Sequence, residues 1–232
     1  MACPAKVAPT MRPPNVELVQ SSHAAFRQKT VYIVRHAQGQ HNVSPQFEFD
    51  PPLTECGLKQ VQRKRAVTEM IGVDVVLVSP LRRTLQTACG LFPEHVHVVA
   101  LEDLRERVEE SCNLREDTAT LRSWFPRVDM NLIEAGPDKF LSRFDAPSLS
   151  GDRTDVNCRD EETDGEVIAR CQKVLASVAA RPEARIALVS HGIFLTQFLE
   201  LIHLPTHVPN SRDPYEDFLE NCEVREIAYV EE

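Results

Sequence analysis

A chain of 232 residues with a 42% hydrophobic share has material for one large domain or two small ones. Its 26% charged residues are ordinary, and a formal net charge of −9 speaks against a general nucleic-acid binder, which needs a basic face. A small anionic substrate is compatible with that charge, because a few arginines can focus positive potential inside an acidic protein.

No apolar run approaches the roughly 20 residues of a membrane span, so no membrane partner is expected. Met1-Ala2-Cys3-Pro4 opens no signal peptide, since no apolar segment follows it. The seven cysteines are widely spaced without a Cys-x-x-Cys pair, which points to a reducing, cytoplasmic compartment. Cys56, Cys89 and Cys171 read as small buried apolar residues.

Residues 1–28 read as a mobile N-terminal tail punctuated by Pro4, Pro9, Pro13 and Pro14, with a short helix over 16–28 as an open alternative. Residues 29–232 read as a single domain. Val31-Tyr32-Ile33-Val34 is a continuous apolar run and predicts a buried strand over 31–35 that stops at Arg35-His36. A proline-rich loop leads to Thr54, the expected N-cap of a helix over 55–71 whose apolar side is Leu58, Val61, Val67, Met70 and Ile71, closed by Gly72. A second buried strand, 74–79, feeds a helix expected to take Ser79 as N-cap and Pro80 as its first residue. A short strand over 96–100 precedes a polar segment, 102–110.

A helix is expected over 115–125, ending before Pro126, with Trp124 and Phe125 in core or lid packing. No period persists over 126–160, which predicts an inserted lid or helical excursion. Residues 164–180 form the clearest helical pattern, with Thr163 as cap and Val167, Cys171, Val174 and Val178 on one face, flanked by Ile168 and Leu175. The strand 185–190 ends at His191-Gly192, and an almost wholly apolar helix follows over 193–202. Residues 224–230 read as an edge strand and a possible interface. Strands alternating with helices predict an α/β fold with a mostly parallel sheet.

If the strands are parallel, their carboxyl ends share one crevice. That crevice would hold Arg35 and His36, then Arg82 and Arg83 from a helix's first turn, and His191 with the orphan N–H groups of a helix N-terminus. Guanidinium groups match phosphate oxygens bidentately, and a helix N-terminus favours anions. Arginine supplies neither base nor leaving-group acid, so phosphoryl transfer needs other groups. Neutral His36 can serve as nucleophile. The proton donor is sought among Glu102, Asp103, Glu106, Glu109 and Glu110, between which spacing does not choose.

Taken together, the motifs resemble the histidine phosphatase superfamily, the phosphoglycerate-mutase-like phosphatases. Val34-Arg35-His36-Ala37 is similar to the family's strand-end Arg-His-Gly motif, with Asn42 where the longer motif carries asparagine. Ser79 to Ala88 is similar to the second motif, its phosphate-binding arginine matching Arg83 and not Arg82. Leu104-Arg105-Glu106-Arg107 resembles the segment of the acidic proton donor, which matches Glu106, and Leu188 to Gly192 resembles the closing motif. Asp50 to Gly57 is similar to the family's entry into its first helix.

The resemblance implies a three-layer α/β/α fold. It implies Arg35, His36, Arg83, Glu106 and His191 as catalytic residues; Asn42, Gly192, Arg82 and His41 are further candidates for phosphate or substrate contacts. Arg82 is expected at the rim, and His41 in a loop hydrogen bond or rim contact. Ala37 stands where the family has glycine, a change that matters if that position needs positive φ. Val108-Glu109-Glu110-Ser111 does not resemble the tyrosine- and glycine-rich segment of mutases.

The expected activity is therefore a metal-independent phosphomonoesterase that works through a phosphohistidine and needs no cofactor. The alternatives are a phosphoglycerate mutase and, from another class, a phospho-ligand-binding or scaffold protein with little turnover. The partner is a small phosphorylated substrate or a phosphoprotein. His203 and His207 have a ligand-like spacing, but Pro205 breaks a helix between them and no cysteine pair accompanies them, so no zinc site is expected.

Overall fold

A computed structural model describes residues 18–20, 29–44, 49–144, 158–202 and 219–230. Among them, β1 (Leu18–Gln20), β2 (Lys29–Arg35), β3 (Val75–Val78), β4 (His97–Ala100), β5 (Val128–Asp129), β6 (Arg185–Ser190) and β7 (Val224–Val230) form one sheet. Its order is β1-β7-β2-β6-β3-β4-β5. Only the β2–β7 pair is antiparallel among these.

The helices are α1 (Glu55–Ile71), α2 (Arg82–Leu91), α3 (Thr118–Trp124), α4 (Asp164–Ala180) and α5 (Gly192–Leu201). Successive strand residues point to opposite faces, so each continuous apolar run feeds two cores. Val31, Ile33, Val75 and Leu77 pack with α4 and α5 through Val167, Cys171, Val174, Phe194 and Phe198. Tyr32, Val34, Val76 and Val78 pack with α1, α2 and α3 through Val61, Leu85, Ala88 and Leu121. The result is the expected three-layer α/β/α arrangement with a mostly parallel sheet.

Several caps follow the sequence. Thr54 accepts the Gly57 N–H at the start of α1, and Gly72 closes that helix at φ 62. Thr163 and Glu166 form a reciprocal capping box on α4.

Other elements depart from expectation for local reasons. On α1, Leu58, Val67 and Met70 are exposed, Met70 by 88%. The face turned inward is Gly57, Val61 and Thr68, and the Thr68 hydroxyl donates to the Leu91 carbonyl. Small residues let α1 approach α2 closely, and a longer apolar stripe would hold it off. α2 starts later than expected, with Leu81 as its N-cap. Asp50, from the preceding loop, reaches across to accept the Arg82 N–H at 2.7 Å. α3 is shorter than 115–125, because Arg115 is withdrawn into a buried ion network and Asp117 caps the helix instead. Of the pair at its end, Trp124 is 44% exposed, so it does not pack in the core.

At the termini, β7 is no edge strand, since β1 pairs along its outer side. Of the expected tail, residues 18–20 form that strand, and the remainder up to residue 28 lies outside the described residues. In the expected excursion, residues 128 and 129 join the sheet as β5, and Asp138 is buried between Arg105 and Arg115. Residues 145–157, the middle of that stretch, lie outside the described residues. Cys89, Cys112, Cys158, Cys171 and Cys222 carry free thiols, whereas Cys56 is in a disulfide and only part-buried, against the expectation of a reduced, buried thiol. Among the described residues no helix is long and apolar enough to cross a membrane.

Candidate active site

Strands β2, β6 and β3 are neighbours, and their register pairs Arg35 with Ser190 and Val189 with Val78. The residues that follow, His36, His191 and Ser79, are therefore delivered side by side at the carboxyl edge of the sheet. The His36 N–H donates to the Ser190 carbonyl at 2.9 Å and fixes the turn out of β2. Ala37 comes next, fully buried, and its N–H donates to the Thr87 hydroxyl at 3.0 Å. Among the described residues, those with positive φ outside glycine are Asp50 and Cys222, so Ala37 needs none of glycine's freedom. Gly57 does carry a steric demand: a Cβ there would lie 2.2 Å from the Gln38 carbonyl oxygen, in the loop that presents His36.

His36 is 2% exposed, and its Nδ1 lies 2.7 Å from the Ala37 carbonyl oxygen. A carbonyl can only accept, so Nδ1 carries the proton and Nε2 keeps its lone pair. Burial holds the imidazole well below its ordinary pKa, and the Arg83, His41 and Arg35 charges push it the same way. The His191 ring centroid is 5.1 Å from that of His36, and the His41 centroid 5.3 Å. His191 is fully buried, with Nε2 at 2.8 Å from the Ser79 hydroxyl. It too is held well below its ordinary pKa, first by burial and then by Arg83. His41 is driven down to about 3, by burial and then by Arg83 and Arg35.

The cations come from two elements. Arg35, at the end of β2, donates to the Leu219 carbonyl, and its Nε has no partner among the described residues. Arg83, on α2, is 1% exposed. Its Nη atoms donate to the Cys112 carbonyl at 2.7 Å and the Asn113 Oδ1 at 2.8 Å, and its Nε has no described partner. Both guanidinium groups are pulled below their ordinary pKa by burial, though arginine stays charged, and both feel the opposing charge of Glu106.

Glu106 is singled out from the five acidic candidates by what its carboxylate touches. Oε1 accepts the Phe194 and Arg107 N–H groups, each at 3.0 Å, and Oε2 accepts the Ile193 N–H at 3.2 Å. The backbone donors of α5 expected to stand open for phosphate are thus already held by this carboxylate, which a helix N-terminus attracts. Oε2 has the less crowded set of lone pairs. Glu102, in contrast, is spent on Arg105 and Arg115.

A cleft of about 170 Å³ joins these groups: Arg35, His36, His41, Asn42, Arg83, Glu106 and Gly192 line it. His191 sits behind its wall, against His36. Arg82 is not brought in, since its guanidinium stacks on the Trp124 ring at 4.5 Å. Asn42 accepts the Gly39 N–H at 2.9 Å, shaping the turn on which His41 stands. Cys112 and Asn113 also line the cleft, and no motif pointed to them: they act through Arg83, which lies 30 positions before Asn113. His203 and His207 lie outside the described residues.

The buried neutral imidazoles have a thermodynamic consequence. Below pH 6.5 the unfolded chain protonates His36, His41 and His191 while the folded chain does not, so the unfolded state binds more protons and stability falls as pH falls. Each contributes a slope of about 1.4 kcal/mol per pH unit. Asp50, raised from 3.8 to about 6 by burial, works in the opposite sense between those values and offsets one of them. The urea midpoint is expected to drop steadily from pH 6.5 to pH 5; a flat or rising midpoint would show that these imidazoles are not buried neutral.

Fold and site together define an α/β protein with a small cleft at the carboxyl edge of its sheet, lined by arginine and neutral histidine. Residues 31–232 match the family model of the histidine phosphatase superfamily (branch 1). "Phosphoglycerate mutase-like protein 1" of Arabidopsis thaliana is 30% identical over 248 residues, covering 88% of this chain and 82% of that one. A Schizosaccharomyces pombe protein named as a probable phosphatase is 27% identical over 183 residues, covering 75% and 78%. In structure, the ecdysone phosphate phosphatase of Bombix mori, solved with tungstate, superposes with a TM-score of 0.56 at 17% identity, covering 85% of this chain and 88% of that one. The chain belongs to the histidine phosphatase superfamily, whose members matched here include phosphatases and phosphoglycerate mutase-like proteins.

Proposed function

We propose that the protein is a phosphomonoesterase that hydrolyses a small phosphate ester through a phosphohistidine on His36. The observation that carries this reading is the His36 imidazole: buried, neutral, its Nδ1 proton tied to a carbonyl, its Nε2 free in a cleft shared with the part-buried Arg35 and the buried Arg83 guanidinium groups. Nε2 attacks phosphorus in line, and the ester oxygen leaves with a proton from Glu106. Glu106 Oε2 then takes a proton from the water that attacks the phosphohistidine, which returns His36 and releases phosphate. Arg35 and Arg83 stabilise the charge on the transferring phosphoryl oxygens, and His191, which does not line the cleft, packs against His36 and steadies its ring from behind. The two arginines supply the positive charge, so the cycle calls for no metal or cofactor. His41 and Asn42 shape the mouth of the site.

The test is phosphate release from a panel of phosphomonoesters, run with and without chelator and beside a phosphoglycerate isomer-exchange assay. Release that survives chelation, without isomer exchange, is expected. Exchange without release would make the protein a mutase. Binding of vanadate with neither would make it a phospho-ligand binder.

A further inference from the structure

The cleft has a positive floor and a negative wall. Arg35 and Arg83 are the only arginine or lysine residues that line it among the described residues. Arg83 is buried with Nε unpartnered, a donor left over for a ligand. On the other side, Glu109 and Glu110, from the segment between β4 and α3, line the same cleft as Glu106. Among the described residues Glu109 pairs with Arg107, at 3.6 Å, and Arg107 is shared with Asp164 at 3.0 Å. Glu110 receives the Cys112 thiol at 3.5 Å. Burial raises the Glu109 carboxyl above its ordinary pKa, and the charges of Glu106 and Glu110 add to the rise even though Arg107 opposes it.

A bound phosphate group takes up both arginines. A second anion on the organic part of the substrate would meet no cation among the described lining residues, and would stand against Glu109 and Glu110. A positively charged group would be matched there. We propose that Glu109 and Glu110 select the organic part of the substrate by charge, favouring a phosphomonoester whose alcohol portion carries an ammonium group and rejecting one that carries a carboxylate. This inference rests on the phosphomonoesterase reading of the cleft and adds its substrate class.

The test uses three esters of one size that differ in their terminal group: 2-aminoethyl phosphate, 2-hydroxyethyl phosphate and phosphoglycolate. For the wild-type protein kcat/KM is expected to fall in that order, by about tenfold or more from first to last, as like charges brought together are disfavoured. The preference is expected to shrink with added salt, because the wall is partly exposed. In Glu109→Gln/Glu110→Gln the three values are expected to converge to within about threefold, and each single variant is expected to move part of the way. Equal values in the wild type, a preference for phosphoglycolate, or an order unchanged in the variants would overturn the inference. Calorimetric binding of the same esters separates it from the parent reading. Ordered binding without hydrolysis would keep the charge selection and remove the phosphatase. Hydrolysis without charge order would do the reverse. Neither hydrolysis nor ordered binding would remove both.

Discussion

His36→Ala is expected to reduce phosphate release by a factor on the order of 10⁴–10⁶, the scale seen when a covalent nucleophile is removed. Among the described residues, neither the other histidines nor the arginines at the site can take over. His41 lines it but lacks the carbonyl contact that fixes the His36 tautomer, and His191 lies behind the wall with Nε2 against Ser79. Arg35 and Arg83 cannot attack phosphorus. The fold is expected to persist, because the substitution removes a buried polar ring from beside two cations without breaking an ion pair. Vanadate binding would then survive, held by the arginines, while turnover is lost. Hydrolysis by His36→Ala at the wild-type rate would remove the nucleophile assignment and the mechanism with it.

Glu106→Gln is expected to lower kcat by roughly 10²–10⁴-fold for alkyl phosphates, the usual range for general acid–base catalysis. The residue has a second duty that must be separated from this one. Its carboxylate accepts two backbone N–H groups of the first turn of α5 and that of Arg107. Glutamine keeps one acceptor oxygen and turns an NH₂ group towards a donor, at a cost of about 1 kcal/mol, comparable to losing an N-cap. A domain of this size would show that as a melting temperature lower by about 2–4 °C. The leaving group distinguishes the two effects. An aryl phosphate with an acidic leaving phenol needs little protonation, so its first step should suffer far less than that of an alkyl phosphate. A loss equal for both substrates would assign Glu106 to structure alone.

The strands, and therefore the site, were legible because each buried strand is an unbroken apolar run that stops at a polar pair. Arg35-His36 and Ser190-His191 lie at such stops, and parallel pairing brings them together. Thr54, Gly72 and Thr163 were legible for a related reason: capping is local chemistry within a few residues. What escaped depends on partners distant in sequence. The inward face of α1 is set by how closely α2 approaches, so Val61 and Thr68 are buried while Met70 faces solvent. Asp50 caps α2 from 32 positions away and also accepts the Glu116 N–H, ties that no window along the chain reveals. In sequence, Arg82 and Arg83 are told apart by the family resemblance and not by spacing. One turns to Trp124 and the other into the cleft, a choice made by the Cys112 and Asn113 groups that receive Arg83. Spacing left Glu106 among five acids; the family resemblance picked it out, and the start of α5 stands against its carboxylate.

The most direct test of the account is to trap the intermediate. Wild-type protein mixed with a phosphomonoester is quenched in alkali, which preserves phosphohistidine, and its peptides are mapped by mass. The account predicts one added phosphoryl group on His36, absent from His36→Ala and accumulating in Glu106→Gln when an acidic leaving group lets the first step proceed. A phosphoryl group on another residue, or rapid hydrolysis with His36 never modified, would contradict it.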